Sequence, residues 1–172
     1  MNTINFPTLI SERLTIRQLS IDDQNAILTL RTDPEVNQYL DRAPTKTVDD
    51  AINFIKKVNE NIEKGISLYW AIILTETDTF VGTICLFDFS TEKKSCEIGY
   101  ELMTSFQGQG IMTEAVQMVI DYAFETLNVK EVLAFSQRDN EPSISLLSKF
   151  NFVKSNVTDS ENPHLEMLSL KR

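Results

Sequence analysis

The stretch from Glu97 to Ala115 constrains the fold more than any other part of the chain. Its first residues alternate like a β-strand, and its last residues begin a run of apolar side chains at helical spacing. A short polar loop with Gly108 and Gly110 lies between them. Glycine lets a backbone turn tightly and approach a ligand, and the first amides of a helix have no partners within it. The segment therefore predicts a strand, a loop and a helix whose unpaired N–H groups attract phosphate.

The bulk composition predicts one globular domain over residues 1–172, because 42% of the residues are hydrophobic and 24% are charged. The formal net charge of −9 argues against nucleic-acid and acidic-membrane partners, since a phosphate polymer would meet a repulsive field. A small phosphorylated ligand remains compatible with this charge if local donors such as the loop amides hold it.

The expected location is cytoplasmic, because neither a signal peptide nor an apolar run of membrane-spanning length is readable. In a reducing compartment Cys85 and Cys96 are expected to be free thiols rather than a disulfide. The single histidine, His164, and the absence of clustered Cys and His spacing give no support for a metal site.

The elements along the chain predict an α/β (α+β) fold with a mixed, mostly antiparallel sheet. Capping patterns at Ser20 and Thr47 and a break at Pro34 indicate helices after the first strand. Hairpin-linked strands follow, and then helix, strand, helix and strand alternate as in a crossover. The predicted strands are Leu14–Leu19, Leu68–Leu74, Phe80–Asp88, Cys96–Met103, Val132–Ser136, Phe152–Val153 and His164–Leu170.

Three motifs then appear in a characteristic order: Gln107-Gly-Gln-Gly-Ile111 between a strand and a helix, Asn140-Glu-Pro-Ser143 one strand later, and Phe150-Asn-Phe152. With them the chain resembles the GNAT N-acetyltransferases, and within that family the branch of ribosomal-protein N-terminal acetyltransferases. Ser11–Arg17 and Thr113–Ala115 fit this branch as well. The resemblance implies a six- to seven-stranded sheet, splayed at the cofactor site, with helices on both faces.

The same resemblance implies that acetyl-CoA binds with its pyrophosphate on the amides from Gln107 to Thr113 and its pantetheine arm along Glu101 to Met103. Met112 departs from the family pattern, which ends in Gly or Ala. Asn140 matches a position that holds pantetheine, although Asn-x-x-Ser is also a common helix start. The expected cofactor-binding residues are Leu102, Met103, Gln107, Gly108, Gln109, Gly110, Ile111, Met112, Thr113, Asn140 and Ser143.

Acetyl transfer to an amine requires a base for the ammonium proton and benefits from an acid for the departing thiolate. Glu97 and Glu101 share one face of their strand. Glu97 matches the strand glutamate that several GNAT enzymes use as base, and Glu101 lies nearer the implied pantetheine arm, although either could belong to a solvated sheet face. Many relatives carry a tyrosine that acts as the general acid where this chain has Leu147. Ser143 matches a serine that the ribosomal-protein branch uses instead. The expected catalytic residues are Glu97, Ser143 and Glu101.

The resemblance thus implies an acyltransferase that moves acetyl from acetyl-CoA to a primary amine by direct transfer, without a metal. The acceptor stays open between a protein N-terminus and a small amine, and the assembly between a monomer and a homodimer. Leu147 motivates the alternative, a CoA-binding sensor or interaction module without catalysis.

Overall fold

The computed structural model describes residues 5–156 and 161–172, and their strands form one sheet of eight in the order β1-β2-β3-β4-β5-β6-β8-β7. Neighbouring strands are antiparallel except β5 and β6, which run parallel. The predicted mixed, mostly antiparallel sheet is confirmed, with one strand more than expected. That strand is β1, which is too short to show an alternating pattern. The strands are β1 (Leu9–Ile10), β2 (Leu14–Gln18), β3 (Leu68–Leu74), β4 (Thr79–Ser90), β5 (Ser95–Leu102), β6 (Glu131–Gln137), β7 (Val153–Lys154) and β8 (Leu165–Lys171).

Both capping patterns read from the sequence form as predicted. The Thr47 side chain accepts a hydrogen bond from the Asp50 amide, and the Asp50 carboxylate accepts one from the Thr47 amide. Two backbone N–H groups that have no partner within the helix are thereby hydrogen-bonded. Ser20 and Asp23 form the same box before the first helix. The helices are α1 (Gln24–Thr32), α2 (Pro34–Asn37), α3 (Val48–Glu63), α4 (Ile111–Asp121), which continues in a wider turn to Thr126, and α5 (Glu141–Lys149).

Helices cover both faces of the sheet, as expected. The apolar stripe of α3 packs against Ala71 and Ile73 of β3, whereas Trp70 and Ile72 point to the opposite face and join α4 in the larger core. Trp70 is fully buried, and its indole N–H donates to the Pro7 carbonyl at 2.8 Å. Burial of apolar area on each face holds the sheet between the two helical layers.

The sheet opens between β5 and β6, so the predicted splay is confirmed. These parallel strands pair only from Ser95 opposite Glu131 to Glu97 opposite Leu133. On its other side β5 stays paired with β4 as far as Leu102 opposite Gly82. Beyond Glu97, therefore, one edge of β5 faces a gap.

Cys85 and Cys96 are both free, as predicted. Cys85 lies opposite Gly99, three residues along β5 from Cys96, so the two thiols do not face each other. Within residues 5–156 and 161–172, no group of three or more His, Cys, Asp or Glu side chains is arranged to hold a metal ion. None of the helices described there is both long and apolar enough to cross a membrane.

Candidate active site

The loop before α4 has the conformation that its glycines permit. Gly108 and Gly110 have φ angles of 76° and 75°, in the left-handed region that disfavours residues with a side chain. Gly110 is the N-cap of α4 and supplies no side-chain hydrogen bond, whereas Thr47 caps α3 and Asn140 caps α5. The first amides of α4 therefore keep their hydrogen-bonding capacity for an anion.

The amides of the loop and of the first turn of α4 form the candidate phosphate seat. The Gln107 amide donates to the Thr104 carbonyl at 3.2 Å, so the available donors begin at Gly108 rather than at Gln107. The side chains of Ile111 and Met112 are 1% and 8% exposed and belong to the core. Met112 thus departs from the family pattern without placing its side chain in the loop.

A cluster of polar side chains fixes this loop to the start of β2. Glu114, in the first turn of α4, accepts a hydrogen bond from the Ser11 hydroxyl at 2.5 Å and from the Arg13 Nε at 2.7 Å. The Arg13 Nη1 also donates to the Gln109 carbonyl at 3.0 Å. Sequence reasoning noted both segments as separate motifs and missed that they contact each other.

The exposed edge of β5 presents alternate residues to the gap. The Met103 amide donates to the Val81 carbonyl at 2.8 Å, so it is already engaged in the sheet. Because successive backbone groups of a strand point to opposite sides, the N–H and C=O groups of Tyr100 and Leu102 face the gap. Of the residues expected to bind pantetheine, Leu102 has backbone groups directed there, whereas the Met103 amide points to β4. The Leu102 carbonyl also accepts a hydrogen bond from the Gln107 Nε2 at 3.2 Å.

A hydroxyl pair joins β5 to α5. The Tyr100 hydroxyl lies 2.9 Å from the Ser143 Oγ, and the Ser143 amide donates to the Asn140 Oδ1 at 3.3 Å. Burial raises the pKa of Tyr100 to about 12, so its phenol keeps its proton at neutral pH. Asn140 has the helix-cap role considered from the sequence, and its side-chain amide nitrogen can still meet a ligand. Leu147 is 1% exposed in the core.

Tyr100 is the functional candidate that sequence reasoning missed. Its side chain lies on the same face of the strand as those of Ile98 and Leu102. The available signal was a tyrosine, which carries a polar hydroxyl on an otherwise apolar face and usually needs a partner when buried.

Glu97 lies where β5 and β6 separate. Its neighbours across the sheet are Phe87 and Leu133, and the carboxylate is half-buried. Burial, followed by the like charge of Asp88, raises the pKa of Glu97 to about 7. A carboxylate with this pKa exchanges a proton readily near neutral pH.

Glu101 occupies the same face of β5 in a different environment. Its side chain is 13% exposed and forms an ion pair with Arg42. The positions of Glu97 and Glu101 are four residues apart on the strand, about 13 Å along the backbone at roughly 3.3 Å per residue. Among the described residues no cation pairs with Glu97, so the geometry favours Glu97 as the base.

Comparison with known proteins gives one consistent family. Residues 13–153 match the acetyltransferase (GNAT) domain. The chain is 35% identical over 150 residues to the uncharacterized N-acetyltransferase p20 of Bacillus licheniformis, which covers 87% of this chain and 84% of that protein.

Two solved structures share the fold. One is RimL, a ribosomal L7/L12 alpha-N-protein acetyltransferase in complex with coenzyme A, with a TM-score of 0.84 and 19% identity over 96% of this chain and 98% of that one. The other is the spermidine N-acetyltransferase from Vibrio cholerae in complex with CoA and spermine, with a TM-score of 0.80 and 18% identity over 94% and 96%. At these identities the likeness describes the fold and leaves the acceptor open.

Proposed function

Because this chain belongs to the GNAT acetyltransferase family and is therefore an acyltransferase, we propose that it transfers acetyl from acetyl-CoA directly to a primary amine. The acceptor is a protein N-terminus or a small amine, and the whole chain acts as one domain. The observation that carries the proposal is the arrangement along one segment: the half-buried Glu97, the open edge of β5 and the uncapped start of α4.

Backbone groups supply most of the proposed cofactor contacts. The amides from Gly108 to Thr113 hold the pyrophosphate at the positive end of α4. The backbone groups of Tyr100 and Leu102 pair with the pantetheine arm as an added strand would, and the Asn140 side chain donates to it from the far side of the gap.

Glu97 acts as the proposed base. The acceptor arrives as an ammonium ion, and its nitrogen can attack only after losing a proton. A carboxylate whose pKa is about 7 is partly ionised at neutral pH and is basic enough to take that proton, directly or through a water molecule. Glu101, which is paired with Arg42, instead shapes the acceptor side.

The hydroxyl pair acts as the proposed acid. As the amine nitrogen bonds to the thioester carbonyl carbon, the carbon–sulfur bond breaks and the electron pair leaves with sulfur. Tyr100 gives its proton to that sulfur and regains one through Ser143, which lies 2.9 Å away. As the amide forms, its nitrogen loses a second proton to solvent, and solvent returns one proton to Tyr100 through Ser143. The ammonium thus gives up two protons, one to Glu97 and one to solvent, while the thiolate gains the proton that Tyr100 supplied. The pair supplies the donor that Leu147 cannot, which favours an enzyme over a binding module without catalysis.

The test measures cofactor binding and turnover separately. Calorimetry with CoA should give saturable binding, and acetyl-CoA should release free thiol in the presence of a panel of peptides and small amines. Turnover should fall in Glu97→Gln and stay unchanged in Glu92→Gln, a matched substitution of an exposed residue in the β4–β5 turn. A folded protein that shows no heat with CoA at high concentration rules out the proposal.

A further inference from the structure

A cationic cavity of about 510 Å³ lies between the end of α1, α2 and the segment before α3. Among the described residues that line it, none is acidic. This local excess of positive charge contrasts with the formal net charge of −9 of the whole chain. The charged and polar lining residues are Arg31, Arg42, Lys46, Thr32, Asn37 and Thr45.

Among the described residues, Arg42 is the only one of the three cations that forms an ion pair with a carboxylate. The Arg42 guanidinium pairs with Glu101 and also donates to the Asn37 Oδ1 at 2.7 Å. Its side chain is 20% exposed, so it forms a fixed wall of the cavity.

Arg31 presents a free guanidinium edge. Its Nε donates to the Thr45 hydroxyl at 2.9 Å, and its guanidinium carbon lies 3.9 Å from the centre of the Phe54 ring. Among the described residues its two Nη groups have no hydrogen-bond partner. Burial and then the like charge of Arg42 lower the pKa of Arg31, and the negative charge of Glu101 opposes this shift only in part.

The cavity adjoins the face of the sheet that carries the proposed base. The Arg42–Glu101 ion pair joins the wall of the cavity to β5. Glu101 shares a face of that strand with Glu97. The proposed acid, Tyr100, lies on the other face. A molecule in the cavity therefore lies on the same face of the sheet as Glu97 and Glu101, which is the proposed acceptor side.

We propose that this cavity binds an anionic group, a carboxylate or a phosphate, carried by the amine acceptor. The inference rests on the proposed function and names its substrate class. A guanidinium with free Nη groups binds both anions through paired hydrogen bonds, and partial desolvation strengthens the attraction. A polyamine would place further positive charge beside Arg31 and Lys46 and be repelled. The net negative charge of the whole chain mildly favours a basic acceptor, whereas the positive charge of the cavity favours an anionic one.

The test compares acceptors that differ only in the anionic group. Thiol release from acetyl-CoA is measured with glucosamine 6-phosphate against glucosamine, with β-alanine against β-alaninamide, and with spermidine. The KM of the anionic member of a pair should be at least about tenfold lower, as expected for a charge-assisted hydrogen-bonded pair. Equal KM values within both pairs, or a preference for spermidine, would overturn the inference.

Substitutions in the cavity test which residues cause the preference for anionic acceptors. Arg31→Gln and Lys46→Gln should raise the KM of the anionic acceptor and leave that of its neutral partner unchanged, with CoA affinity unaltered. Lys46 is exposed, so its variant tests the inference even if Arg31→Gln fails to fold. The matched control is Lys149→Gln, which removes an exposed lysine at the end of α5 and should leave the preference intact.

A direct binding measurement separates this inference from the proposed function. If no amine in the panel releases thiol, the proposed function has failed for that panel, and calorimetry of the CoA-saturated protein with glucose 6-phosphate against glucose still examines the cavity. Binding of the phosphate alone, weakened in Arg31→Gln, supports the anionic site. Equal affinity for both sugars, or no binding of either, overturns it.

Discussion

The two halves of the site are built in different ways. The proposed cofactor half lies on one continuous segment, β5 to the start of α4, and offers mainly backbone N–H and C=O groups. The proposed acceptor side is assembled from side chains far apart in sequence, since Arg42 and Glu101 are separated by 59 positions. A backbone-built site tolerates most side-chain changes, whereas a side-chain-built site changes with each substitution. The cofactor half therefore suits what the family shares, and the acceptor side suits what distinguishes its members.

The strongest test of this contrast is Gly108→Asp, which should weaken CoA binding by at least about 100-fold. A carboxylate about 4 Å from a phosphate charge costs roughly 4 kcal/mol at an effective dielectric constant of 20. A Cβ at this position meets nothing within 4 Å, so the substitution adds backbone strain at a positive φ but no steric clash. Calorimetry with CoA measures the loss.

Gly65→Asp is the matched control, because Gly65 also has a positive φ, of 70°, with nothing within 4 Å of an added Cβ. It lies after α3, away from the phosphate seat, and should keep full CoA affinity. An equal loss in both variants would assign the effect to backbone strain rather than to charge.

Glu97→Gln should lower kcat about 100-fold, within the range seen for loss of a general base, and leave CoA affinity unchanged. The wild-type rate should rise with pH through about 7, because Glu97 accepts a proton only when ionised. That rise should be absent in the variant. In Asp88→Asn its midpoint should move to lower pH, since a like charge that raises the pKa of Glu97 is gone. An unshifted midpoint would assign the titration to another group.

Tyr100→Phe should lower kcat about tenfold, less than the usual loss for a general acid, because water can still protonate the departing thiolate. Ser143→Ala should have a similar effect, and the double variant should be little worse than either, because the two hydroxyls act as one unit. Tyr122→Phe, in the turn after α4, is the control. Fully additive losses would mean that Tyr100 and Ser143 act separately.

Glu97 should also lower the free energy of unfolding at pH values at which its carboxylate is ionised. Its pKa rises from an ordinary value of 4.5 to about 7 on folding, so its favourable contribution is complete below pH 4.5 and is lost as pH rises through 7. Glu97→Gln should therefore stabilise the protein by about 1 kcal/mol at pH 8, an amount reduced by solvent screening of a half-buried group, and by little at pH 5. Urea denaturation at both pH values measures the difference, and equal effects would contradict the assigned cause.

The sequence predicted the glycine loop, β5 and most of the fold because their signals are local. Glycines, alternation and caps each lie within a few residues, so the loop, β5 and the capping boxes at Ser20 and Thr47 were readable. The splay was implied by the resemblance. In the structure it follows from the pairing of β5 with β6 over three residues only. Such pairing between distant segments cannot be read from either segment alone.

The acceptor side could not be read in this way. Nothing local to Arg42 indicates that its partner is Glu101, and nothing local to Arg31 indicates a cavity. The same applies to Tyr100, whose partner Ser143 comes from a helix 43 positions later. These contacts depend on how β5 is placed between α2 and α5, which is a property of the whole sheet.

The smallest expected effect concerns the side chains that hold the cofactor half in place. Arg13→Ala removes the hydrogen bonds from Arg13 to Glu114 and to the Gln109 carbonyl, and the Arg13 side chain is 46% exposed. Such a partly exposed pair contributes up to about 1 kcal/mol, so CoA affinity should fall only by about threefold as the loop loosens. Arg172→Ala, which removes another surface ion pair, should have no effect on CoA. If Arg13→Ala instead lost as much affinity as Gly108→Asp, Arg13 would itself contact the phosphate. The cofactor half would then depend on a side chain 96 positions from Gln109, and the contrast between the two halves would fail.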